Sequence, residues 1–144
     1  MIKMYAVIRI RGSVNVRKDV DDTLNMLRLK RRMHCVVLKD SDNLKGMLQK
    51  AKDWITWGDI NDNVLKLLID KRGRKIGDKK LTKEESENTV KSLKETGKVL
   101  EDIKPVFRLT PPSKGFKHSI KQQYPKGELG YRGEKINELL KRMI

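Results

Sequence analysis

The chain has few of the residues from which active sites are usually built. Its 144 residues include one cysteine, Cys35, and two histidines, His34 and His118. A single thiol excludes an internal disulfide framework and fits a reducing cytoplasm. With that ligand set and no local ligand spacing, a tetrahedral zinc site of the usual types cannot be assembled. Adjacent strand residues point to opposite faces, so His34 and Cys35 make no nucleophilic pair, and Cys35 reads as a small core residue. Long apolar runs are also missing: nothing approaches the roughly 18 residues of a membrane span. The opening MIKMYAVIRIRG is apolar but interrupted by arginines at alternate positions, the pattern of a strand rather than of a signal peptide. These absences lead us to expect a soluble intracellular protein with no metal, no cofactor and no small-molecule substrate.

Acidic residues are scarce as well, with 19 Asp and Glu against 34 Lys and Arg, a net charge of +15. A soluble small domain typically carries a net charge of magnitude about 2–8. The excess repels itself unless a polyanion neutralises it, which makes nucleic acid the leading partner. The charge is uneven. Residues 1–60 hold 13 basic and 7 acidic side chains (net +6), residues 61–103 hold 11 and 9 (net +2), and residues 104–144 hold 10 and 3 (net +7).

The first sixty residues read as strand, helix, strand, helix, strand. Met4, Ala6, Ile8 and Ile10 alternate with Tyr5, Val7, Arg9 and Arg11, which predicts a half-buried strand. Val20, Leu24 and Leu27 mark a helix with Asn15 as its N-cap, and residues 34–38 form a second strand. Ser41 caps a helix whose apolar face is Leu44, Met47, Leu48 and Ala51, and residues 54–58 form the third strand. Beyond residue 61 the pattern is helical: Val64, Leu65, Leu68 and Ile69 in one helix, then a second from Thr82 to Gly97 with Glu85 at capping-box spacing. Val99, Leu100 and Ile103 predict a further apolar turn. Val106–Leu109 is a candidate edge strand, and Ile136, Leu139, Leu140 and Met143 form a terminal helical stripe. Between these last two elements lies an irregular basic arm, residues 107–133, with three prolines and four glycines.

No phosphate-cradling loop with a GK[ST] ending is present. Gly127-Glu128-Leu129-Gly130 matches the GXXG of a KH loop but lacks the flanking helices of that module. Acidic pairs such as Asp21-Asp22 and Glu84-Glu85 sit in first helical turns, where they compensate the helix dipole. No catalytic constellation emerges.

Four basic clusters remain; a solvated turn is the alternative for each, evenly balanced for the third and weak for the arm, whose composition would stay disordered without a partner. They are Arg9, Arg11, Arg17 and Lys18; then Arg28, Lys30, Arg31 and Arg32 with His34; then KRGRKIGDKK, residues 71–80, with Lys71, Arg72, Arg74 and Lys75; and finally the arm. In the arm, Lys114, Lys117, His118, Lys121, Lys126 and Arg132 are interleaved with Phe116, Tyr124 and Tyr131 as possible stacking surfaces.

An ordered series of segments, IRIRG (8–12), LNMLRLKRRMHCVV (24–37), LKGMLQKAKDWITWGDI (44–60), IDKRGRKIGDKKLT (69–82), FRLTPPSKGFKHSI (107–120) and GEKINELLKRMI (133–144), resembles the large-subunit ribosomal protein thirty family in its archaeal form, related to eukaryotic large-subunit protein seven. The resemblance implies an α+β fold: a βαβαβ core over residues 1–60, with a three-stranded antiparallel sheet packed on two helices, and an extension over residues 61–144 with helices and the arm. It implies a structural constituent of the large ribosomal subunit, binding large-subunit rRNA near the 5S rRNA and touching neighbouring ribosomal proteins, with no catalysis. The rival reading is a basic protein that compacts nucleic acid without specificity.

Overall fold

The computed structural model describes residues 4–12, 16–39, 41–75, 79–80, 82–96, 104, 106–113, 115–116, 119–124 and 126–144. Six strands form one sheet: β1 (Met4–Arg9), β2 (His34–Lys39), β3 (Ile55–Asp59), β4 (Val106–Arg108), β5 (Ser119–Gln123) and β6 (Gly127–Tyr131), in the order β4-β2-β1-β3-β6-β5. The expected antiparallel β2-β1-β3 unit is its centre, with Val7 opposite both Val36 and Trp57. The sheet does not end there. β4 adds antiparallel to β2, and β6 adds parallel to β3. β5 lies outside β6 in an irregular register, with Ser119 opposite Gly127 and Gln123 opposite Leu129.

The helices are α1 (Lys18–Met26), α2 (Asp42–Lys50), α3 (Asp62–Arg72), α4 (Lys83–Thr96) and α5 (Ile136–Met143). α1 and α2 cover one face of the sheet, where Val20, Leu24, Leu44 and Leu48 pack with Tyr5, Val7, Val36, Ile55 and Trp57. α3, α4 and α5 cover the other, where Leu68, Leu93 and Leu140 pack with Ala6, Ile8, Cys35, Phe107 and Leu129. β1 is therefore buried on both faces rather than half-buried. Its near-continuous apolar run, in which both alternating sets are apolar, has the composition of a strand covered on both sides.

Local chemistry sets the element ends. Ser41 accepts from Leu44 N at 3.1 Å and Asn61 from Val64 N at 2.8 Å, each satisfying an orphan donor of a first helical turn. Thr82 accepts from Glu85 N at 3.3 Å, one half of the expected capping box. The residue that caps α1 is Arg17, with no side-chain hydrogen bond to the cap, and Asn15 lies outside the described residues. Val99, Leu100 and Ile103 also lie outside them. Within β3, position 58 is glycine because a Cβ there would fall 2.2 Å from the Gly133 carbonyl oxygen and 2.8 Å from the Ile136 Cβ. Only hydrogen fits at that approach.

The arm is more regular than its composition suggests, since it contains β5 and β6. Gly127–Tyr131 forms β6, so the GXXG match is a strand and not a loop between helices. Gly130 has φ +84°, a left-handed conformation that glycine adopts freely. At the arm's start, Thr110 N and Ser113 N donate to the carbonyls of Met143 and Arg142, at 3.1 Å each. Arg142 also donates to the carbonyls of Ser113 and Gly115, tying α5 to this stretch.

Candidate nucleic-acid interface

The turn from α1 into β2 is built to hold a tight shape. Arg28 (φ 65°) and Met33 (φ 66°) are both left-handed, a conformation that costs a non-glycine residue roughly 1–2 kcal/mol. Three hydrogen bonds hold the turn in place. Leu29 N donates to Leu24 O at 2.9 Å, Met33 N donates to Arg9 O at 2.8 Å, and Arg9 Nη1 donates to Leu29 O at 2.7 Å.

Arg9 is thus a correction to the sequence reading, which placed it on an outer strand face. It is only 1 % exposed, its Nε also donates to Arg11 O at 2.9 Å, and burial lowers its pKa against a raising influence from Asp21. Its guanidinium shapes the turn from beneath instead of meeting solvent. Arg132 is a second correction. It is buried, donating through Nε to Thr56 Oγ1 at 2.8 Å and through Nη2 to Glu128 Oε2 at 2.9 Å and to the Glu128 carbonyl. Phe116 is half-buried and packs against the core on the α3–α5 side.

The turn and the β4 edge together line an open groove of about 530 Å³. Its floor is His34, Val106 and Arg108 on the paired strands β2 and β4, with His34 directly opposite Arg108. Its wall is Asn25 near the end of α1, followed by Arg28, Lys30 and Arg31. Lys104, just before β4, also lines it, and its backbone N–H donates to Arg74 O at 2.9 Å. No acidic side chain is among the described residues that line the groove. His34 reports the resulting field: its pKa is lowered by burial first, then by Arg108, Arg31 and Arg9.

The remaining predicted residues surround this feature or stand apart from it. Arg32 is exposed and donates through Nε to Ile10 O at 3.0 Å. Arg17 and Lys18 are exposed, and Arg17 pairs with Asp19 at 3.3 Å. Arg11 lies over the Trp54 ring at 5.3 Å and donates to Asp53 O at 3.3 Å. Lys71 is exposed and Arg72 half-buried at the end of α3. Arg74 and Lys80 form an isolated antiparallel backbone β-bridge, and Lys75 pairs with Glu85 at 2.5 Å. Lys126 is exposed. Tyr124 lies under Arg132, with the guanidinium 5.6 Å from its ring, and Tyr131, 47 % exposed, donates to Asp59 Oδ2 at 2.8 Å. Lys114, Lys117 and His118 lie outside the described residues, as does the side chain of Lys121.

Lys104 and Arg108 are groove residues that sequence reasoning missed. The pairing of β4 with β2 brings Arg108 beside His34, and the spacing of 74 residues between the two carries no sequence signal. Among the described residues no cluster of three or more His, Cys, Asp or Glu could hold a metal ion, and no helix is long and apolar enough to cross a membrane.

The profile of the ribosomal protein L30p/L7e family matches residues 5–55, from β1 to the start of β3. A large ribosomal subunit protein uL30 from Staphylothermus marinus is 50 % identical over the whole of both chains. The chain belongs to the L30p/L7e family. Similarity to the uL30 proteins of Methanosphaera stadtmanae (47 % identical, 98 % of this chain and 100 % of that one) and Nanoarchaeum equitans (46 %, 98 % and 99 %) also runs through the second half. The family resemblance therefore includes β4, β6 and the helices of the opposite face, not only the segment that the family profile covers.

Proposed function

We propose that this chain is a structural component of the archaeal large ribosomal subunit that binds and organises large-subunit rRNA, close to the 5S rRNA and in contact with neighbouring ribosomal proteins. Its role is architectural, without catalysis. The observation that carries the RNA reading is the groove, where cations from separate chain segments (the 28–31 turn, Lys104 and Arg108) converge with His34 between them. Basic side chains gathered in one concavity focus a positive potential there, which favours an incoming polyanion. Arg28, Lys30, Arg31, Arg32 and His34 form the principal contact. Arg11, Arg17, Lys18, Lys71, Arg72, Arg74 and Lys75 extend the positive field. Lys114, Lys117, His118, Lys121, Tyr124, Lys126 and Tyr131 contribute from the arm.

The mechanism is neutralisation and positioning. Each phosphate neutralised releases counterions, and backbone contacts set the register of RNA helices relative to one another. Photo-crosslinking in cell lysate, with crosslinked RNA and crosslinked peptides both identified, tests the assignment. Crosslinks from residues 28–34 and 104–108 to large-subunit rRNA are the expected result. Crosslinks scattered over unrelated RNA and DNA would sink it in favour of non-specific compaction.

A further inference from the structure

We propose that the groove between the α1–β2 turn and the β4 edge seats a single unpaired nucleotide, extruded from an RNA helix, rather than lying along duplex backbone. The inference rests on the RNA-binding reading above and adds the kind of RNA element that this site takes.

Shape argues first. At about 530 Å³ the groove falls within the range of small-molecule sites, about 300–1,000 Å³. An A-form helix is far too wide to enter such a space, so only an element that leaves the duplex can fill it. The rigidity of the wall points the same way. Left-handed Arg28 and Met33 bracket the turn, and buried Arg9 holds it from below through the Leu29 carbonyl. A flat basic surface that follows phosphates needs no such preformed concavity.

The lining then separates a nucleotide from a bare phosphate. Arg28, Lys30, Arg31, Lys104 and Arg108 supply cations for the phosphates on either side of an extruded base. The other lining groups suit the base itself. Val106 offers an apolar contact, His34 a planar ring, and Asn25 an amide that both donates and accepts. Unstacked bases are recognised in this manner, by stacking on planar groups and hydrogen bonding at their edges. Burial, and then Arg108, Arg31 and Arg9, disfavour protonation of His34, so the free protein presents the ring to the groove as a neutral imidazole, which can accept as well as donate.

Fluorescence anisotropy with the full chain decides the matter, using a short perfect RNA duplex and the same duplex carrying one unpaired nucleotide. At equal salt the bulged probe is expected to bind about tenfold more tightly, the scale of one stacked base. Arg31 and Arg108 are both exposed, so the double variant Arg31→Ala/Arg108→Ala keeps the core intact and should abolish the preference. Lys71→Ala, outside the groove, should weaken both probes equally. Equal binding of the two probes by the wild-type chain overturns the inference while leaving RNA binding in place. A preference that survives in the double variant overturns the location. Displacement of both probes by polyglutamate at equal charge would point to an acidic peptide and overturn it also. Binding of neither probe, with no rRNA crosslinks in lysate, would instead bring down the RNA reading on which the inference stands.

Discussion

Arg132 and Thr56, 76 residues apart, are joined by a buried hydrogen bond of 2.8 Å from Nε to Oγ1. Thr56 in turn donates to the Gly130 carbonyl at 2.9 Å, and Arg132 pairs with Glu128, whose side chain is 4 % exposed. This network fastens β6 onto the β3 side of the central sheet. Its geometry predicts a large effect from a single change. Arg132→Ala removes the guanidinium that pairs with buried Glu128, a loss of about 3–5 kcal/mol, measurable by urea unfolding. Arg132→Lys should recover little, because an ammonium cannot reproduce the fork that reaches Thr56 and Glu128 together. A loss below about 1 kcal/mol, the ordinary value of an exposed pair, would show that the network is not buried in solution.

At Arg28, stability and binding are expected to move in opposite directions. Its φ of 65° suits glycine, so Arg28→Gly should stabilise the fold by up to about 1 kcal/mol. The same change removes a cation from the groove wall and should weaken RNA binding, with a salt dependence lower by about one phosphate contact. Thermal unfolding and a salt titration of binding on the same preparation give both readouts. A destabilised variant would contradict the strained turn.

His34 sets a pH window. Burial and the facing arginines Arg108, Arg31 and Arg9 hold its folded-state pKa below the ordinary 6.5. The unfolded chain therefore takes up the proton first. The stability linked to His34 is fully present above about pH 6.5 and is lost as pH falls through the lowered folded-state value. His34→Gln should flatten that part of the stability curve, as followed by urea unfolding from about pH 7.5 to about pH 5.5. Bound RNA should oppose the shift, since phosphates beside the ring favour its charged form. A wild-type curve that rises on acidification would reverse the assignment.

Much of the fold was legible because its elements carry strong local signals. The apolar stripes Val64–Ile69 and Ile136–Met143, the Ser41 cap and the three central strands all appear where periodicity and turn chemistry place them. The two edges were harder to read. β4 is the short edge strand that the sequence predicts, though its pairing with β2 carries no local signal; β5 and β6 were not expected, and Gly127-Glu128-Leu129-Gly130-Tyr131 has little strand propensity and owes its place to Arg132, Thr56 and a left-handed glycine. The basic turn was legible as a cluster, but its pocket was not, since two of the three floor residues, Val106 and Arg108, come from β4. Arg9 misled for a simpler reason: at the polar position of an alternating strand an arginine reads as exposed, and only the Leu29 and Arg11 carbonyls show why it is inside.

The order in which this sheet is completed follows from its strand sequence. When residue 60 leaves the ribosome that is synthesising the chain, β2-β1-β3 can pair and α1 and α2 can cover one face. The other face, with Ala6, Ile8, Ile10 and Cys35, waits for α3 and α5, and the outer edges of β2 and β3 wait for β4 and β6. A nascent chain of this kind passes through an interval with a bare apolar face and two open strand edges, both prone to association. The last helix is thus the lid on a core that begins at Met4, and a chain truncated before residue 136 should aggregate rather than fold to a smaller version of itself.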